Sequence, residues 1–223
     1  LYYGSDSGVG RLLNSIRLLR AGGSLRIGAL GLGAGTISAY CEPGDTFRFY
    51  EINPEMIYIA QNFFSYLKDC KGKVDILKGD ARLLLEDELR TSRKGNFDVI
   101  IVDVFTGDSI PVHLLTAEAF KLYEKHLSVD RPGVMAVHIS NTYLDLSHVV
   151  ARAAREIGAE YVILESNTKE VDGADSTWML LSRDKELLSY PAITELSRNQ
   201  FSLKDVRLWT DEYSNLLSVF KLR

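Results

Sequence analysis

The sequence predicts an α/β fold: a mostly parallel seven-stranded sheet with helices on both faces and an antiparallel pair at one edge. Three observations predict it. Short apolar runs alternate with amphipathic stretches through most of the 223 residues, which is the pattern of successive βαβ units. A glycine cluster, Gly31-Leu32-Gly33-Ala34-Gly35, falls between a strand-like and a helix-like segment. Acids stand at the ends of three strand-like runs, where open α/β sheets hold their ligands.

The elements follow in order. Residues 25–30 form a first strand ending at the glycine loop, and a short helix over 37–41 stops at the turn sequence Glu42-Pro43-Gly44-Asp45. Residues 47–51 alternate and are rich in aromatics, a second strand. Asn53 N-caps a helix with Pro54 in its first turn, running to about Leu67. Residues 74–77 make a third strand and 81–89 a helix. Phe97-Asp98-Val99-Ile100-Ile101-Val102-Asp103 is nearly continuous in β-branched residues, as a central strand buried on both faces requires. After a 12-residue loop, Thr116 caps a helix with Glu118 near its start and Lys125 and His126 near its end. Residues 134–139 give a fifth strand and 146–157 a helix. Residues 161–164 and 177–181 read as the antiparallel edge pair, joined by a solvated loop carrying Asp172 and Asp175. Thr210 caps a final amphipathic helix over 211–222. No repeat, low-complexity tract or linker composition divides the chain, so residues 1–223 are expected to form one domain.

Composition narrows the function classes. Hydrophobic residues at 46% supply ample core, and a net charge of -4 argues against a nucleic-acid partner, which needs a basic face. A mildly acidic chain suits a cationic substrate. Cys41 and Cys70 have no metal-ligand spacing and are expected as reduced thiols. His113, His126, His138 and His148 lie far apart with no paired-ligand spacing, so no metal is expected. There is no apolar run of membrane-spanning length and no secretory leader, so a cytoplasmic location is expected. The chain opens at Leu1 without methionine and reads as a piece of something longer.

The glycine loop carries chemistry because of its context. Glycines let the chain turn sharply and let a ligand approach the main chain. Glu51 ends the next strand, where a carboxylate can accept hydrogen bonds from both hydroxyls of a ribose. Thr36 occupies the position where a dinucleotide fingerprint asks for glycine or alanine. The Gly31, Gly33, Gly35 spacing is instead that of S-adenosylmethionine enzymes, and the chain resembles the Rossmann-like class I methyltransferase fold. That resemblance implies adenine contacts from Asp80, with Ala81 beside it, after the third strand. A helix N-cap ahead of Ala81 is the other reading of Asp80.

The fourth strand sharpens the likeness. The run from Phe97 to Asp103, the loop Gly107-Asp108-Ser109-Ile110-Pro111-Val112-His113-Leu114 and Leu115-Thr116-Ala117-Glu118-Ala119-Phe120 resemble the polyamine aminopropyltransferases, the spermidine synthase family. So do Tyr2-Tyr3-Gly4 through Gly8-Val9-Gly10, Asp45-Thr46-Phe47-Arg48-Phe49-Tyr50-Glu51-Ile52-Asn53-Pro54 and Trp209-Thr210-Asp211. The branch they resemble most is often fused to multi-span membrane domains. The resemblance implies decarboxylated S-adenosylmethionine as co-substrate, a small cationic amine such as putrescine as acceptor, and Asp103 as catalytic base. A carboxylate there first attracts the protonated amine, then accepts its proton. Tyr3, Asp108 and His113 are candidate substrate contacts, although a core aromatic and a packing histidine are the plainer readings of Tyr3 and His113. Asn141 and Tyr143 are candidate pocket residues.

Two positions depart from the family. Thr106 stands where it usually has a second acid, and Ala34 where it tends to place an acid in the glycine loop. The family's amino-terminal β-hairpin domain has no counterpart here, and a homodimer and a membrane fusion are implied by resemblance alone. Methyl transfer from S-adenosylmethionine is the competing enzyme reading, with Arg11 or Arg17 reaching the methionine carboxylate. A non-catalytic ligand-binding domain of a larger membrane protein is the third; methylthioadenosine is a further candidate ligand.

Overall fold

All seven strand-like runs become strands in the computed structural model, which describes residues 3–104, 111–166, 175–195, 197 and 204–221. They are β1 (Arg26–Leu30), β2 (Thr46–Glu51), β3 (Lys73–Lys78), β4 (Val99–Val102), β5 (Val134–His138), β6 (Glu160–Ser166) and β7 (Ser176–Ser182). One sheet holds them in the order β3-β2-β1-β4-β5-β7-β6. Only β7 runs antiparallel to its neighbours. The chain winds outward from β1 to β3, then returns beside β1 as β4. That reversal opens the crevice in which such sheets bind ligands.

Helices α1 (Gly8–Leu19), α2 (Pro54–Phe63), α3 (Tyr66–Asp69), α4 (Ala81–Arg90), α5 (Ala117–His126), α6 (Ser147–Glu156), α7 (Lys185–Leu188) and α8 (Pro191–Thr194) cover the sheet. Central strand β4 shows why its run is uniformly apolar: Ile100 and Val102 pack into the core on one face, Val99 and Ile101 into the other. The first core takes Leu85, Phe120 and Val150 from α4, α5 and α6. The second takes Val9, Leu12, Leu13 and Ile16 from α1. Asn53, Asp80 and Thr116 cap their helices through Glu55, Leu83 and Ala119 N–H groups. Ser7 caps α1, a helix not delimited from sequence, by accepting from Gly10 N.

Buried ion pairs pin α1 to the far ends of the strands. Arg17 bonds both oxygens of Asp45, which also accepts from Leu25 N and Glu42 N at 2.8 Å each. Arg20 bonds Asp98, whose other oxygen accepts from Arg26 N at 2.8 Å.

Four expectations need correction. The cysteines are not free: Cys41 and Cys70 form a disulfide with Cα atoms 5.0 Å apart. They lie just ahead of β2 and β3, and adjacent parallel strands bring those approaches together. The helix from Pro54 does not reach Leu67. It stops at Phe63, Phe64 is extended, and α3 resumes at Tyr66. Among its residues only Ala60 is buried, so little packing sustains another turn. The short helix after the glycine loop is a 3-10 turn, Thr36–Tyr40. Nor does an α-helix form from residue 211 on; a 3-10 turn at Leu216–Val219, capped by Asn215, is the only helical turn among the described residues there. Asp211 is drawn away to Arg82 and Thr116, and Val219 is the only buried residue between 211 and 221, so no packed stripe sustains a helix. No helix among the described residues is long and apolar enough to cross a membrane.

Candidate active site

The carboxyl ends of β1 to β5 converge, and the glycine loop is the floor between them. Gly31 has φ +90°, and a Cβ there would lie 2.0 Å from the Asp103 carbonyl oxygen, so no side chain fits. Gly33 also has positive φ, +52°, but a Cβ there would meet nothing within 4 Å. One glycine is thus demanded by the protein itself, whereas Gly33 faces open space that a ligand can enter. Gly35, against Leu67 of α3, starts the turn that follows.

Glu51 ends β2 and is nearly buried, 8% exposed. Its Oε2 accepts from Leu32 N at 2.9 Å and Oε1 from Asn53 N at 2.8 Å. The acid therefore braces the glycine loop, and each oxygen retains a lone pair for a ligand hydroxyl. Asp80 is the N-cap of α4: Oδ1 accepts from Leu83 N at 3.0 Å. Its Oδ2 lies 2.9 Å from His113 Nε2. Burial alone would raise the Asp80 pKa, but the Leu83 N–H and His113 outweigh it and hold the carboxyl below its ordinary value. Ala81 is buried beside it, and His113 is half exposed. Arg82 secures this corner, donating to both Asp211 oxygens and to the His113 carbonyl. The Trp209-Thr210-Asp211 segment thus clasps the residues from His113 to Ala117 at the start of α5.

Asp103, one residue beyond β4, is held by two side chains from distant parts of the chain. Tyr3 Oη donates to Oδ2 at 2.7 Å, and His138 Nδ1 lies 2.9 Å from Oδ1. His138 Nε2 is 2.8 Å from Ser140 Oγ, which accepts from Thr177 N at 2.7 Å. The carboxylate remains about a fifth exposed while Tyr3 is buried. His138 was missed from sequence, where it looked like one of four scattered histidines. The available signal is register: β4 pairs Val102 with Val137 of β5, so the next residues, Asp103 and His138, sit side by side.

The other candidates separate. Asp108, with Thr106, lies outside the described residues. Asn141 Oδ1 accepts from Tyr143 N and Leu144 N, closing a turn, and Tyr143 is exposed. Arg17 is committed to Asp45 and the Tyr40 carbonyl, and Arg11 to Glu195 and the Ala192 carbonyl. Two hollows of about 360 and 370 Å³ lie elsewhere, the first beside Gly133 and Met135 at the opposite end of β5, the second between α4 and α5. The strand-end chemistry, not hollow size, marks the site.

No family model matches the chain. Over 140 residues, 61% of its length, it is 32% identical to the polyamine aminopropyltransferase of Vibrio vulnificus strain CMCP6. The match spans 44% of that relative, so the chain accounts for less than half of the curated protein it resembles. Its fold is similar to a probable spermidine synthase from Corynebacterium glutamicum ATCC 13032, with TM-score 0.57 and 21% identity over 82% of this chain and 67% of that one. It is also similar to precorrin-6y C5,15-methyltransferase from Geobacter metallireducens GS-15, with TM-score 0.51 and 16% identity over 78% and 85%. The fold is the Rossmann-like class I methyltransferase fold, and the resemblance to polyamine aminopropyltransferases read from the motifs is borne out in sequence.

Proposed function

We propose that this chain carries the catalytic centre for aminopropyl transfer from decarboxylated S-adenosylmethionine to a small polyamine such as putrescine. One observation carries the reading: Asp103, adjoining the glycine loop, presents a partly exposed carboxylate fixed at both oxygens by Tyr3 and His138. In the proposed reaction Asp103 attracts the ammonium and takes its proton. The free amine then attacks the propyl carbon on the sulfonium, the C–N bond forms as the C–S bond breaks, and methylthioadenosine leaves. The sulfonium is a good leaving group, so positioning and deprotonation are the protein's share.

The residues fit the donor. Open space over Gly33 admits the sulfonium end, Glu51 retains acceptors for the ribose hydroxyls, and Asp80 with Ala81 borders the base. His113 already holds one Asp80 oxygen, so the adenine amino group must share or displace it. Methyl transfer is less well supported. Arg11 and Arg17, the cations suited to a methionine carboxylate, are turned to other partners, and the three strand-end groups are acids.

Calorimetry with methylthioadenosine, S-adenosylmethionine and its decarboxylated form tests the reading, followed by turnover with putrescine and spermidine. The decarboxylated donor is expected to bind more tightly than the carboxylated one. Asp103→Asn is expected to lower turnover by roughly 10²- to 10⁴-fold. Preference for the carboxylated donor moves the assignment to methyl transfer, and no binding of any of the three removes the nucleoside site altogether.

A further inference from the structure

We infer that His138 is a positioning residue for Asp103, held as its Nδ1–H tautomer and aiming the carboxylate at the acceptor amine. The inference rests on the aminopropyl-transfer reading for its consequence, but the hydrogen-bond chain behind it is independent of that reading. Ser140 Oγ receives the Thr177 N–H at 2.7 Å and lies 2.8 Å from His138 Nε2. A carboxylate only accepts, so Asp103 requires a proton on Nδ1, and the Ser140 hydroxyl, which keeps its own proton while accepting from Thr177, donates to Nε2. The ring proton then sits on Nδ1, which points at Asp103 Oδ1 over 2.9 Å.

The ring is pinned as well as bonded. It stacks on Trp178 with centroids 4.8 Å apart and planes 26° from parallel. Trp178 is fully buried and stands opposite His138 in the β5–β7 pairing. Tyr3 closes the other side, edge-on to the imidazole at 5.7 Å, and donates to the second Asp103 oxygen. Two fixed donors, one per oxygen, set the plane of the carboxylate. Removing the imidazole leaves Asp103 held at Oδ2 alone and free to turn about its side-chain bonds. A group that must meet an amine in line with the reacting carbon loses much of its effect when it turns.

Nitrogen-15 NMR of the histidine-labelled chain reads the tautomer directly. The expected result is protonated Nδ1 and bare Nε2 for His138, with that preference lost in Asp103→Ala; a protonated Nε2 in the wild-type chain overturns the inference. Kinetics then separate positioning from bulk. His138→Leu is expected to lower kcat roughly 10²-fold with little change in KM. His138→Asn, whose amide nitrogen replaces the Nδ1 donor, is expected to recover most of that loss. An asparagine variant no better than the leucine one, at equal thermal midpoint, overturns the role. If His138→Leu does not fold, the asparagine variant and the tautomer still decide it. A wild-type chain that turns over no amine overturns the proposed reaction alone, because the tautomer and its response to Asp103→Ala are read without turnover.

Discussion

Gly31 shows how one residue couples two halves of the site. Its positive φ and the 2.0 Å approach of a Cβ to the Asp103 carbonyl mean that Gly31→Ala must move one loop or the other. The expected cost is at least about 2 kcal/mol in urea denaturation, with weakened methylthioadenosine binding in calorimetry. Gly33→Ala is different: its Cβ enters open space, so folding suffers only the backbone strain while the ligand loses room. Asp45 carries a pH dependence. Burial would raise its pKa, but Arg17 and the Glu42 and Leu25 N–H groups more than offset that and hold it below the ordinary carboxylate value. A lowered folded pKa means stability that is present above the unfolded value and lost as pH falls through the folded one. The thermal midpoint of the wild-type chain is therefore expected to fall more steeply between about pH 5 and pH 2 than that of Asp45→Asn. Residue roles were unevenly legible. Glu51 and Asp103 announced themselves by ending strands, whereas Asp45 read only as part of a turn because its cationic partner lies 28 positions away.

At the scale of elements, strands were the legible part. β4 is apolar throughout because both its faces are covered, and β2 alternates because its edge of the sheet is less fully buried. Helices with a strong cap and a packed stripe, such as α4 and α5, also followed from sequence. Those that failed lacked one of the two. Beyond Phe63 little core supports further turns, and past Thr210 the first residue, Asp211, is claimed by Arg82. The Cys41–Cys70 bond ties the end of α3 to the chain entering β2. Cys41→Ser is expected to cost roughly 3.6 kcal/mol in urea denaturation, on the scale of closing a loop of that size. Thiol titration of the unfolded, unreduced wild-type chain should find neither cysteine.

Across the whole molecule, the candidate site draws on residues 3, 31, 51, 80, 103 and 138, and topology brings them together. Strand ends were readable one at a time. That Tyr3 reaches Asp103 across 100 positions, and that β7 returns to set Trp178 behind His138, required the sheet order itself. Two functions are thereby divided between regions: β1 to β3 border the proposed nucleoside pocket, and β4, β5 and β7 support the proposed base. Methylthioadenosine at about 100 times its Kd is expected to stabilise the fold by about 2.7 kcal/mol. Asp103→Asn should keep that gain while losing turnover, and Glu51→Ala should lose it, as thermal shift will report. The disulfide has one more consequence. It closes the backbone from residue 41 to residue 70 into a covalent ring that contains all of β2 and Glu51. A protease that nicks the extended link at Phe64 would therefore release nothing: the severed pieces stay linked, migrating as one species until a reductant parts them.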